Sequence, residues 1–75
     1  MIIMETDKTK AIYVRTNRRV KWQYAEYGGR FTTANEAIER AKERFEDHPF
    51  EYLIEDMITG ENVTGFAQGT GRKGF

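Results

Sequence analysis

The sequence predicts an α+β fold, a single helix packed on a four-stranded, mainly antiparallel sheet in the order β-β-α-β-β. Two observations carry that expectation. One stretch has helical periodicity and both end signals, and strand-like segments lie in pairs before and after it. One helix shields one side of such a sheet and leaves the other side uncovered.

The helix is expected within residues 31–47, FTTANEAIERAKERFED. Ala34, Ala37, Ile38, Ala41 and Phe45 recur at the i, i+3, i+4, i+7 spacing that lines one helical face. Thr33 and Glu36 have capping-box spacing, which satisfies two orphan backbone N–H groups at the first turn. Pro49 removes a donor and turns His48 away from helical geometry, which places the stop near Asp47.

Residues 10–16, KAIYVRT, alternate β-branched and aromatic residues, with Ile12 and Val14 on one side and Tyr13 and Arg15 on the other. Asn17, Arg18 and Arg19 form a turn signal, because Asn tolerates the left-handed region. Residues 20–27, VKWQYAEY, alternate again, which puts Val20, Trp22 and Tyr24 on one face of a second strand. Gly28 and Gly29 are expected to break that strand. After Pro49, residues 50–58 read as a third strand with Phe50, Tyr52 and Ile54 on one face and Leu53 and Met57 on the other. Residues 59–62 are a turn, and 63–67 a short fourth strand. The organisation is an N-terminal segment 1–9, one domain 10–67, and a flexible basic tail 68–75 with three glycines.

The expected core is Ile12, Val14, Trp22, Ala37, Ile38, Ala41, Phe45, Tyr52 and Ile54. Truncating Ile38 to alanine is expected to cost about 2–5 kcal/mol, and a cost under about 1 kcal/mol would show a misassigned helix face.

Size and composition narrow the function classes. Seventy-five residues make one domain, and a chain of this size buries only about 60 % of its unfolded surface. No cysteine is present, so neither a disulfide nor a thiolate metal site reinforces the core. The opening MIIMETDK is too short an apolar run for a signal peptide, and no 18-residue apolar stretch exists to span a membrane. The expectation is a soluble, cytoplasmic protein without membrane association.

Catalysis is not expected. The chain has no cysteine and no serine, which removes the commonest nucleophiles, and its single histidine, His48, stands at the helix end beside the dipole's negative pole. Glu46, Asp47 and His48 are consecutive and diverge around the helix, so no metal site is expected. GTGRKG at 69–74 lacks the preceding strand and following helix of a phosphate loop. No cofactor is expected.

Binding is the expected role. Net charge is zero but segregated: residues 1–30 carry seven Lys/Arg against three acids, residues 31–67 three against nine, and Arg72 and Lys73 close the balance. Two partner classes follow. A protein partner would meet the uncovered sheet face or the acidic helix, with its Glu36, Glu39, Glu43, Glu46 and Asp47. A nucleic acid would meet the first hairpin, where Arg15, Arg18, Arg19 and Lys21 contact phosphates and Tyr13 and Tyr27 stack on bases. An uncovered strand edge also allows either a monomer or a homodimer.

Phe31-Thr32-Thr33, Glu36-Ala37-Ile38 and Ala41-Lys42, followed by Ile54-Glu55-Asp56 and Thr59-Gly60-Glu61, form a pattern that resembles small uncharacterised bacterial and phage proteins over residues 10–66. In size and β-β-α-β-β order the chain is similar to some phage anti-CRISPR inhibitors of type I systems. That resemblance implies a phage-encoded inhibitor that sits on a basic or nucleic-acid-binding surface of an effector complex. Its motifs are a cap, an alanine stripe and a turn, so it assigns no functional residue.

Overall fold

The structure, a computed structural model, describes residues 8–69. It contains strands β1 (Lys10–Arg15), β2 (Glu26–Phe31), β3 (Pro49–Asp56) and β4 (Asn62–Gln68), and one helix, α1 (Ala34–Phe45), between β2 and β3. The four strands form one antiparallel sheet in the order β2-β1-β3-β4. This is the α+β architecture expected from the sequence. Helix α1 covers one face, and no other helix among the described residues covers the opposite one. No helix among the described residues is long and apolar enough to cross a membrane. Of the predicted terminal segments, residues 1–7 and 70–75 lie outside the described residues, while Gln68 completes β4.

Helix α1 starts as its cap predicts: the Thr33 hydroxyl accepts from the Glu36 backbone N–H at 3.1 Å. It ends at Phe45, two residues before the expected stop. Glu46 takes φ 55°, its N–H still bonding the Lys42 carbonyl at 2.8 Å, and the reversed backbone frees Pro49 to open β3. Proline is tolerated as the first residue of a strand.

The core lies between the helix and the sheet and contains Ile12, Val14, Ala37, Ala41, Phe50, Ile54 and Ala67. Phe31, Ala34, Ile38, Phe45 and Tyr52 pack against it, half-buried. Ile38 therefore keeps its predicted side of the helix but sits at the edge of the packing. Ile38→Ala is accordingly expected near the lower end of the range, about 2 kcal/mol in a urea melt.

Two expectations are corrected. Residues 20–25 are not strand: Trp22–Tyr24 form a single 3-10 turn, closed by Tyr24 N to Lys21 O at 2.8 Å and Ala25 N to Trp22 O at 3.0 Å. Trp22 consequently stands outside the core and Tyr24 is exposed. Gly28 and Gly29 do not break the second strand but lie inside β2. The register shifts from Ile12↔Gly29 to Tyr13↔Tyr27, which leaves Gly28 as the extra residue of a β-bulge. A Cβ on Gly28 would meet Ile12 Cγ2 at 2.9 Å and Ile12 O at 3.3 Å, so glycine lets β2 close on β1 there. The pairing partner of β1 thus begins six residues later than the alternation of 20–27 suggests.

Candidate binding face

The uncovered face is built by strand alternation. In β1 the side chains of Ala11, Tyr13 and Arg15 point away from the helix; the register places Arg30 and Tyr27 of β2 and Glu55, Leu53 and Glu51 of β3 beside them. Beyond β3, Asn62, Thr64 and Phe66 of β4 complete the row. Tyr27 is 55 % exposed and Phe66 62 % exposed, on opposite edges of the sheet. The Tyr13 and Tyr27 rings lie 5.5 Å apart, tilted at 52°, an arrangement favoured by the ring quadrupoles.

One end of this face is organised by Arg15. Its Nε donates to Glu51 Oε1 at 2.8 Å, its Nη2 lies 2.7 Å from the same oxygen, and its Nη1 donates to the Val20 carbonyl at 2.7 Å. The guanidinium also stacks 4.0 Å over the Trp22 ring. A single side chain thereby ties the 16–25 connection to β3. Arg18 Nε donates to the other Glu51 oxygen at 2.7 Å, so one carboxylate sits between two guanidinium groups. Arg15, Trp22, Glu51, Thr64 and Phe66 line a shallow depression of about 300 Å³. At the other end, Arg30 Nη1 approaches Met57 Sδ at 3.8 Å, and Ala11 is buried between Arg30 and Glu55.

The six residues expected to make contacts are thus separated into three settings. Tyr13 and Tyr27 come together on the open face. Arg15 and Arg18 converge on Glu51, a residue 33 or more positions away that no local pattern linked to them. Arg19 and Lys21 are exposed on the connection, without an ion-pair partner among the described residues. Sequence reasoning missed Trp22, Leu53 and Phe66 as face residues. The alternation of 50–58 did carry a signal for Leu53; Trp22 was placed in the core instead, through a strand that does not form. On the helix side, Lys42–Glu39 at 3.5 Å and the Arg44–Glu26 pair are surface bridges, each worth a few tenths of a kcal/mol. No group of three or more metal-ligating side chains occurs among the described residues.

The Glu51 carboxyl is held below its ordinary value of 4.5, first by the hydrogen bond from Arg15; desolvation pushes it up, and Arg18 pulls it down again. Because the folded value lies below the unfolded one, the stabilisation is present above about 4.5 and is lost as pH falls through the folded value. Trp22, the single tryptophan, reports this directly. Its emission is expected to change with a midpoint below 4.5, and Glu51→Gln is expected to remove that transition. A midpoint at or above 4.5 would overturn the assignment.

The fold and this face define a small α+β domain with one packed side and one aromatic, charge-compensated side. The chain matches no protein-family model, no curated protein and no solved structure.

Proposed function

We propose that this chain is a non-catalytic binding protein that engages a protein partner through the uncovered face of its sheet. The observation that carries this reading is the composition of the face: Tyr13, Tyr27, Leu53, Phe66 and Trp22 share it with Arg15, whose guanidinium is paired with Glu51. Contact patches between proteins are enriched in aromatic residues and Arg and depleted of uncompensated charge at their centres, and their energy concentrates in a few such side chains.

Capture from lysate, with and without nuclease, tests the proposal when the wild-type chain is compared with Tyr13→Ala/Tyr27→Ala. The expected result is a protein retained after nuclease and bound at least about ten-fold more weakly by the double variant, as truncating two central rings implies. Retention that ignores both substitutions would move the contact off this face. The sharper proposal, a phage-encoded inhibitor acting in the host cytoplasm on a complex such as a CRISPR effector, adds only the architectural resemblance. Plaque formation on cells expressing a type I system tests it: restored plaques support it, and unchanged interference removes it.

A second reading, single-stranded nucleic acid on the same face, is favoured by the exclusion of Trp22 from the core and by Arg19 and Lys21 on the same connection, which have no ion-pair partner among the described residues. Stacking on such rings is worth about 1–3 kcal/mol per base. Titration with a single-stranded oligonucleotide should then change Trp22 emission with an affinity that falls steeply with salt. Unchanged emission at low salt would exclude it.

A further inference from the structure

The outer edge of β4 is paired with no other strand among the described residues. We propose that it pairs with β4 of a second copy of this chain, making a two-fold symmetric dimer with one continuous eight-stranded sheet. The inference rests on the edge alone and does not depend on the partner of the open face.

The two edges of the sheet are built differently. At one end, β2 has a bulge, two glycines, and the charged residues Glu26 and Arg30, devices that discourage further pairing. At the other, β4 reads NVTGFAQ, without a charge, a proline or a bulge in its pairing with β3. Val63 and Phe66 are both more than half exposed. Such an edge is a ready template for another strand.

The hydrogen-bond phase shows which groups it offers. Asp56 N bonds Glu61 O at 2.8 Å, and Gly69 N bonds His48 O at 3.2 Å. With the Val63↔Ile54, Gly65↔Tyr52 and Ala67↔Phe50 register, the odd-numbered residues of β4 turn their amide groups toward β3. Asn62, Thr64, Phe66 and Gln68 therefore present N–H and C=O outward, and nothing among the described residues pairs with that edge.

A second copy fits because the strand is self-complementary. With Gly65 on a two-fold axis perpendicular to the sheet, antiparallel pairing sets Thr64 opposite Phe66, Val63 opposite Ala67 and Asn62 opposite Gln68. Every pair lies on one face, and all four outward residues exchange backbone bonds. Thr64–Phe66 is an aromatic–β-branched pair, a favourable cross-strand combination. Val63 and Ala67 set a large side chain beside a small one on the helix side. No like charges meet along the seam, and the chain's zero net charge leaves no overall repulsion between copies. The axis also turns both open faces to the same side, where they form one extended surface.

The test is sedimentation of the full chain over a dilution series, together with amide hydrogen exchange. A species of twice the chain mass is expected at high concentration. The Thr64 and Phe66 amides should exchange at least ten-fold more slowly there than at the dilute end. Thr64→Pro removes an outward N–H without touching the β3 ladder, a position where an edge strand tolerates proline, and should leave a folded monomer. Thr64→Lys, which keeps every backbone donor, should do the same should the proline variant lose its circular-dichroism signature. A monomer at every concentration overturns the proposal. So does a dimer that persists in the folded Thr64 variants, or protection of these amides that is independent of concentration.

Discussion

Replacing Phe50 with alanine is expected to destabilise the domain by about 3–5 kcal/mol, the largest effect of any single truncation. Phe50 is 1 % exposed and the largest fully buried side chain. Its ring stacks on Phe45 at 5.0 Å and meets Tyr52 at 6.4 Å. It joins the last turn of α1 to the start of β3, where the chain reverses past Pro49. A domain of this length has roughly 4–11 kcal/mol in total, so the variant should be largely unfolded at the lower end of that range. Urea denaturation followed by circular dichroism measures it. A loss under about 1 kcal/mol would mean that this corner collapses freely around the cavity.

The second large effect is at the contact between β1 and the bulge of β2. Ile12→Ala should cost about 2–5 kcal/mol, because Ile12 is fully buried at the centre of the core. Gly28→Ala should cost about 1–3 kcal/mol by overpacking, since the new methyl meets Ile12 Cγ2 at 2.9 Å. The two changes are not independent. Removing Cγ2 clears the space into which the new methyl projects, so the double variant should be more stable than the sum of the singles implies, by more than about 0.5 kcal/mol. Simple additivity would show that the clash at Gly28 is set by the Ile12 backbone instead of its side chain.

Legibility in the sequence followed the range of the interactions. The helix was readable because its cap, its apolar stripe and the proline beyond it are all local. The inward faces of β1 and β3 were readable because alternation alone sorts Ile12 and Val14 from Tyr13 and Arg15, and Ile54 from Leu53. The second strand was displaced by a side chain of β1 that is itself held from β3 by Glu51. The alternation of 20–27 competes with a 3-10 turn that Arg15 stabilises from outside, through the Val20 carbonyl and the Trp22 ring. Of the two glycines that read as a break, Gly28 instead lets β2 close on Ile12 of β1.

The candidate face followed the same division. Tyr13 and Tyr27 were identified from the sequence, and the register sets them side by side. Arg15 and Arg18 were identified as free cations, whereas Glu51 binds both. The charge segregation along the chain therefore closes on itself in three dimensions, as basic residues of the first half meet acidic residues of the second.

By itself, then, the sequence determined the fold class, the helix and its inward face, and the absence of the common nucleophiles, because composition, periodicity and capping act within a few residues. Only the tertiary structure decided that Trp22 leaves the core, that Glu51 pairs with both Arg15 and Arg18, and that no other strand among the described residues pairs with the outer edge of β4. Each of these depends on which strands become neighbours. That choice is made by packing and backbone pairing between segments tens of residues apart, whose energies no local pattern encodes.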